Sequence, residues 1–202
     1  MSTNATLDQA GHVLRLVSDK GVTKEQLAGI VNDGTLPDFL EAVATGSNKS
    51  REELRAFLGL GPLVLSVIVD YTMSLADMIK AGKYDWTNHD ITEKRFPVKG
   101  EGKKETAVEL IHFNRVMNSN QVEQELDKMG LRPGTTEELL AFGATFPETQ
   151  RKFPILALGS VAEISGGRVV AYLDGGGSER RLRLYWPDND WSVVCRFLAV
   201  RK

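Results

Sequence analysis

Apolar residues in the first part of the chain recur every three or four positions, which is the spacing of amphipathic helices. Four such runs, separated by glycine-containing breaks, lie within residues 7–58. Thr23 with Gln26 forms a capping-box pattern, which predicts a helix start, and residues 50–58 open with the same pattern. We expect a helical unit over residues 1–61, with a core so thin that the unit depends on the rest of the chain or on a partner.

The pattern beyond the helical unit is typical of strands. Residues 63–71 (LVLSVIVDY) form a β-branched apolar run, which predicts a buried strand, and residues 106–114 alternate as a strand does. Capping boxes at Asn118 and Thr135 predict two helices, whereas residues 82–104 are interpreted as a long loop with some local structure. The last fifty residues hold four strand-like runs, namely FPILALGS, RVVAYL, RRLRLYW and WSVVCRFLAVRK.

The order of these elements predicts an α+β fold, in which the helical unit precedes a mixed domain over residues 62–202. A formal net charge of -2 disfavours a generally nucleic-acid-binding surface. Cys195 is the only cysteine, so an intrachain disulfide is excluded and a reducing compartment is favoured. The N-terminus lacks the pattern of a signal peptide, and no apolar run is long enough to span a bilayer. We therefore expect a soluble cytoplasmic protein without a membrane partner.

Five segments of the second domain carry a resemblance, namely YDWTNHDIT (84–92), VELIHFNR (108–115), LRPGTTEELLAFG (131–143), QRKFPILALGS (150–160) and RFLAVRK (196–202). They resemble a group of bacterial proteins that are frequent in small-genome candidate phyla. No activity is attached to that group, so the resemblance implies no reaction.

A more distant resemblance is to C-type-lectin-like folds, including the formylglycine-generating enzymes. LALGS (156–160) is similar to the WIGL-like strand of those folds, and LRPGTTEELLAF (131–142) to the opening of their second helix. CRFLAVRK (195–202) is similar to the terminal strand that returns to pair with the first. The resemblance implies a C-type-lectin-like topology for residues 62–202.

The chain also departs from those folds. It has WPDND (186–190) but no EPN or QPD tripeptide, so calcium-dependent sugar binding is not implied. The paired cysteines of formylglycine-generating enzymes are absent, so their oxidase activity is not implied either. Some proteins with this fold are the variable targets of diversity-generating retroelements, which display hypervariable residues near the C-terminus. Residues 186–196 lie in the corresponding place.

Aromatic residues and arginines cluster near the C-terminus, a composition typical of recognition surfaces. In RRLRLYW, Arg181, Arg183 and Tyr185 share one face of the predicted strand. The alternative, which the sequence leaves open, is a solvated arginine face over an ordinary core with Trp186 buried. The predicted ligand-binding residues are Tyr172, Asp174, Arg181, Arg183, Tyr185, Trp186, Asp188, Asn189, Asp190, Trp191 and Arg196.

Other candidate chemistry is sparse. The oxygen side chains of residues 188–190 would suit calcium, but Asp and Asn are also favoured in turns, and the turn is the preferred interpretation. The glycine-rich residues 174–178 lack the ending of a phosphate loop and are interpreted as a flexible hairpin tip. The histidines have no metal-ligand spacing, and Cys195 has no visible base. We predict no catalytic residue, no metal and no cofactor.

Together these features predict a non-enzymatic protein that binds another protein or a small molecule, with the helical unit as a docking or assembly module. The first alternative is a nucleic-acid-linked regulator that acts through the helices. Residues 1–60 contain six basic and eight acidic residues, and this acidic balance argues against binding to a phosphate backbone. The second alternative is an enzyme with an unrecognised site, to be sought as a deep pocket with converging ionisable groups. The sequence leaves the oligomeric state open. If the binding prediction holds, Arg183→Ala or Trp191→Ala should abolish binding with little change in stability.

Overall fold

The computed structural model describes residues 7–45 and 64–202. Backbone contacts divide the chain into two compact units, residues 1–54 and 55–202. The domain boundary that we expected near residue 61 lies outside the described residues, as does the predicted fourth helix of residues 50–58. Among the described residues, no helix combines the length and the apolar character needed to cross a membrane.

The first unit contains three helices, α1 (Leu7–Asp19), α2 (Lys24–Asn32) and α3 (Thr35–Ala44). The capping box predicted at Thr23 is present, since its hydroxyl accepts from the backbone N–H of Gln26 while the Gln26 side chain accepts from the Thr23 N–H. No residue of α2 or α3 is buried. Large exposed apolar side chains include Val13, Leu14, Leu16, Ile30, Val31, Phe39, Leu40 and Val43.

The second unit is built on a mixed open sheet of eight strands, so the α+β class is confirmed. Its strand order is β1-β3-β8-β5-β6-β7-β2, and β4 also pairs with β8. The strands are β1 (Val64–Asp70), β2 (Trp86–Thr87), β3 (Lys103–Ile111), β4 (Leu131–Pro133), β5 (Ile155–Ile164), β6 (Gly167–Gly176), β7 (Glu179–Tyr185) and β8 (Arg196–Arg201). The helices are α4 (Leu75–Gly82), α5 (Ser119–Lys128), α6 (Thr136–Thr145) and a short 3-10 turn, Thr149–Arg151.

The C-terminal strand β8 lies inside the sheet. It pairs antiparallel with β3, where Val108 lies opposite Val200, and parallel with β5, where Ile155 lies opposite Arg196. Residues 197–200 are all buried, as expected for a continuous apolar run that is covered on both faces.

The two faces of the sheet are covered differently. On the first face, α4 and α6 pack their apolar residues, such as Met78 and Leu139, against the inner residues of the sheet, such as Leu182. On the second face, α5 and the segment between β7 and β8 contribute Leu126 and Trp191 to a separate cluster. Near β2 and β7 the second face stays partly open, because Arg183 and Trp86 are partly exposed there.

Residues 82–104 are mostly a loop with some local structure, as interpreted from the sequence, and the local structure includes β2, which pairs parallel with β7 at one sheet edge. Two other sequence-based predictions need correction. β1 is an edge strand that is buried on one face only, because Val67 and Val69 face the core while Val64 and Ile68 are 46% and 65% exposed. The last strand begins at Arg196 rather than at Trp191, because the preceding residues form turns that cross the second face.

Candidate recognition surface

Six side chains from β2, β6 and β7 lie together on the second face, and five of them are at least partly accessible. The predicted binding residue Tyr172 is only 8% exposed and belongs to the core cluster of this face, so it supports the neighbouring side chains rather than being open to a ligand. Tyr172 of β6 lies opposite Arg183 of β7, and Asp174 lies opposite Arg181. Because alternate residues of a strand point to the same side, Arg181, Arg183 and Tyr185 lie on one face of β7, as the sequence predicted. The parallel pairing of β2 with β7 places Trp86 beside Arg181. We call Trp86, Tyr172, Asp174, Arg181, Arg183 and Tyr185 the arginine–aromatic surface.

One carboxylate holds both arginines of this surface in place. Oδ2 of Asp174 lies 3.1 Å from Nη1 of Arg183, and its Oδ1 lies 3.5 Å from Nε of Arg181. The Asp174 side chain is only 17% exposed, so water screens these contacts less than it would on an open surface. The Arg183 guanidinium also lies 5.7 Å from the ring centroid of Tyr172, in a cation–π contact. Two cations against one anion leave these three groups with a net charge of about +1.

A row of aromatic rings connects the surface with the core. Tyr172 meets Tyr185 edge to face at 6.0 Å between ring centroids, and Tyr185 lies 5.1 Å from Trp191. Trp191 is 2% exposed and donates from its indole N–H to Oγ of Ser119, at 3.0 Å. Tyr185, which is 36% exposed, therefore rests on a buried and hydrogen-bonded ring. Burial raises the pKa of the Tyr172 hydroxyl and nearby Asp174 adds to this, so the phenol stays neutral at physiological pH.

A buried arginine fixes the segment that carries Trp86. Arg180 points to the first face, where its guanidinium donates to the carbonyl oxygens of Gly82 and Gly143, both at 2.6 Å. The same guanidinium lies 5.2 Å from the ring centroid of Tyr84. On the backbone, the N–H of Arg180 donates to a carboxylate oxygen of Asp85 at 2.7 Å. These contacts hold the chain just before β2 against β7, and so they position the Trp86 indole.

The hairpin tip between β6 and β7 is held from outside the sheet. Gln150 donates to the carbonyl oxygens of Asp174 and Arg181, at 2.7 and 3.1 Å, and so bridges the two strands. Arg151 donates to the carbonyl oxygen of Ser178 at the tip. The glycine at position 175 is required, because a Cβ there would lie 2.8 Å from the carbonyl oxygen of Glu179. The glycine-rich tip is thus pinned at the end of the arginine–aromatic surface.

An open cleft of about 320 Å³ lies along this surface. Its lining residues are Asp85, Trp86, Glu179, Arg181 and Arg183. Nε of Arg181 and Oδ1 of Asp174 are buried and form an ion pair with each other at 3.5 Å, but neither atom has a hydrogen-bond partner within residues 7–45 and 64–202. A larger open cavity of about 660 Å³ lies beside α4 and is lined by apolar residues such as Met73 and Ile91, with Glu93 as the ionisable group.

The other residues of the predicted site lie elsewhere. Trp186 is 53% exposed, so it is not the buried residue of the alternative interpretation, and it lies against the backbone of Gly167 at the β5–β6 turn. The backbone N–H of Asn189 donates to the carbonyl oxygen of Trp186, which closes a turn, and exposed Asp188 pairs with Arg168. Asp190 is also exposed. In the described part of the chain, no group of three or more His, Cys, Asp or Glu side chains is arranged to hold a metal ion.

Two predicted residues are placed away from the surface. Trp191 is a core residue, because the segment after β7 folds back over the second face and bridges to Met117. Arg196 precedes Phe197 at the start of β8, and its guanidinium stacks 4.5 Å from the ring centroid of Phe153 in the first-face cluster. Residues 186–195 therefore form a pair of turns anchored by Trp191.

Trp86 is the surface residue that the sequence did not predict. Its strand has two residues, which is too short for any periodicity to reveal. The available signal was a large aromatic residue among polar neighbours in YDWTNHDIT. Only the pairing with β7 shows that it lies beside Arg181.

The Cys195 thiol is expected to be unreactive in the folded protein. It is 8% exposed, and burial raises its pKa despite the nearby Arg196 charge. With iodoacetamide at pH 8, we expect alkylation of the native protein to be at least about tenfold slower than that of the urea-unfolded chain, as measured by mass spectrometry. Equal rates would show that the second-face cluster opens readily around Cys195.

Comparisons of the chain with protein-family models, curated proteins and solved structures found no match. The function of the arginine–aromatic surface must therefore be inferred from its own residues. Guanidinium groups bind carboxylates in planar geometry, and an exposed indole offers a flat apolar contact. The surface can therefore bind a ligand that combines charged and flat apolar groups.

Proposed function

We propose that this chain is a non-enzymatic binding protein that recognises a partner protein through the arginine–aromatic surface. The proposal rests mainly on one observation: two arginines fixed by one half-buried carboxylate lie beside an exposed tryptophan on an open sheet face. Trp, Tyr and Arg are the residues that most often dominate binding energies at protein interfaces. A surface that is fixed before binding also loses less conformational entropy when the ligand binds.

We further propose that the second unit has a C-type-lectin-like topology. The order β3, α5, α6, β5–β6–β7 and β8, with β8 antiparallel to β3, supports this assignment. In this proposal the sheet is a constant scaffold and the protein works in the cytoplasm, where Cys195 stays reduced. The analogy with variable proteins of diversity-generating retroelements belongs to the same proposal. The first unit would be a docking or assembly module, which its exposed apolar side chains support.

The binding surface can be tested with a library of random peptides displayed on phage. Peptides that bind the immobilised full chain are selected from this library. Peptides enriched on the wild type are expected to lose at least about tenfold in affinity on Trp86→Ala or Arg183→Gln, because both changes remove an interface anchor. Isothermal titration measures the affinities. The melting temperatures should change little, because both side chains are partly exposed.

The chain offers matched controls for both substitutions. Trp186 and Arg168 are similarly exposed but lie outside the arginine–aromatic surface. Trp186→Ala and Arg168→Gln should leave the affinities unchanged. If the enriched peptides bind all four variants equally, or if no peptide is enriched, the proposed surface is wrong.

A further inference from the structure

We infer that the arginine–aromatic surface recognises an extended peptide segment with a basic and an acidic side chain at alternate positions. This inference rests on the proposed function and adds the chemistry of the ligand. The cleft is polarised along β7, with Asp85 and Glu179 at one end and Arg181 and Arg183 at the other. Trp86 lies beside Arg181 and also lines the cleft.

The arginine end of the cleft, formed by Arg181 and Arg183, can bind one carboxylate. Asp174 contacts Arg183 through Nη1 and Arg181 through Nε, and the other guanidinium nitrogens form no hydrogen bond within residues 7–45 and 64–202. The net charge of about +1 on these three groups matches a single carboxylate. Guanidinium nitrogens already held in place can form charge-assisted hydrogen bonds without further ordering of the side chains.

The acidic end of the cleft, formed by Asp85 and Glu179, can bind a cationic group. The exposed Glu179 carboxylate forms no ion pair or hydrogen bond with any described residue. The nearby Asp85 is also exposed, and one of its carboxylate oxygens accepts from the backbone N–H of Arg180. Two carboxylates at this end would repel a phosphate chain, so a nucleic acid is a poor match. A lysine or arginine of the ligand would meet both carboxylates, with its aliphatic stem against Trp86.

The spacing of the charges selects the ligand conformation. Glu179 and Arg181 are two residues apart on β7, which corresponds to about 7 Å along a strand. In an extended peptide, side chains two positions apart lie on the same side at the same spacing. The cleft is open and is lined by the exposed Trp86, which leaves room for a segment that continues beyond it. A partner's extended segment of the form basic–X–acidic therefore matches both the charges and the shape.

The charge arrangement can be tested with rigid aromatic probes titrated into the ¹⁵N-labelled full chain. The Trp86 indole N–H signal, assigned with Trp86→Phe, is followed by NMR. 4-(Aminomethyl)benzoate is expected to bind at least about fivefold more tightly than 4-methylbenzoate or 4-methylbenzylamine, since it alone satisfies both ends. Glu179→Gln should abolish its advantage over 4-methylbenzoate, and Arg183→Gln should weaken both carboxylate probes.

Two peptides of identical composition then test the spacing. Acetyl-Thr-Lys-Thr-Glu-Thr-amide places its charges on one side of an extended chain, whereas acetyl-Thr-Lys-Glu-Thr-Thr-amide places them on opposite sides. The first peptide is expected to bind at least about threefold more tightly than the second. Equal binding of the two peptides, or of all three aromatic probes, would overturn the basic–X–acidic ligand but leave the recognition surface in place. No shift of the surface signals with any probe or peptide would overturn both proposals.

Discussion

Replacing Trp191 with alanine is expected to lower the free energy of unfolding by about 3–5 kcal/mol, the usual cost of deleting a buried tryptophan. The indole is 2% exposed and packs against Tyr185 and Phe197, with ring centroids 5.1 and 6.2 Å away. The change would also remove the hydrogen bond to Ser119 and so leave the segment between β7 and β8 without its anchor. Urea unfolding followed by far-UV circular dichroism measures the loss.

Two further variants separate packing from the hydrogen bond. Trp191→Phe keeps an aromatic ring but removes the N–H donor, so we expect a smaller loss of about 1–2 kcal/mol. Trp186→Ala truncates an exposed tryptophan and should change stability by less than about 0.5 kcal/mol. If Trp191→Ala is as mild as Trp186→Ala, residues 186–195 do not pack on the second face as described.

The second large effect is expected from Gly143→Ala, with a loss of about 2–3 kcal/mol. A methyl group at this position of α6 would lie 2.3 Å from Oη of Tyr84 and 2.9 Å from Cδ1 of Leu173. Neither neighbour has much room to move, because Leu173 is fully buried and the Tyr84 ring also packs so closely on Gly82 that a Cβ there would overlap it. The overlap outweighs the gain of about 1 kcal/mol that alanine brings to a helix. All three tryptophans lie in the second unit, so their fluorescence reports its unfolding.

Tyr84→Phe provides the matched test of this overlap. The Tyr84 hydroxyl is buried without a hydrogen-bond partner among the described residues, so its removal should raise stability by up to about 1 kcal/mol. Because the closest contact of the added methyl group is that hydroxyl, the double variant should recover part of the loss, as a double-mutant cycle would show. Additive effects of the two changes would contradict the predicted contact. Gly29→Ala in α2, where nothing lies within 4 Å, controls for helix propensity; because α2 belongs to the first unit, its stability is followed by far-UV circular dichroism.

The helix starts were the part of the fold that the sequence predicted best. Asn118 with Gln121 and Thr135 with Glu138 form the predicted capping boxes at the first residues of α5 and α6. These signals are local, because the side chain and the N–H group that it caps lie within one helical turn. The residues that make up one face of β7 were equally predictable, since side chains alternate along any strand.

The sequence could not predict which segments cover each face of the sheet, and so it could not predict which side chains are buried there. Trp191 and Trp86 both look like aromatic residues next to polar ones, yet one is in the core and the other is 47% exposed. The difference depends on which segment folds over which part of the sheet. Similarly, Arg180 and Arg181 are neighbours in sequence, but Arg180 is buried against carbonyl oxygens and Arg181 lies at the open cleft.

The sequence alone determined the types of the longer elements of the second unit, the helix caps and the alternation that puts Arg181, Arg183 and Tyr185 on one side of a strand. These features depend on backbone geometry and on contacts within a few residues. Only the tertiary structure decided that β2 brings Trp86 beside Arg181, that Asp174 holds both arginines, and that Trp191 and Arg196 lie elsewhere. The placements of Trp86, Trp191 and Arg196 depend on contacts between segments that are far apart in sequence, which local patterns do not reveal. The Asp174 contacts depend on the register of the β6–β7 hairpin.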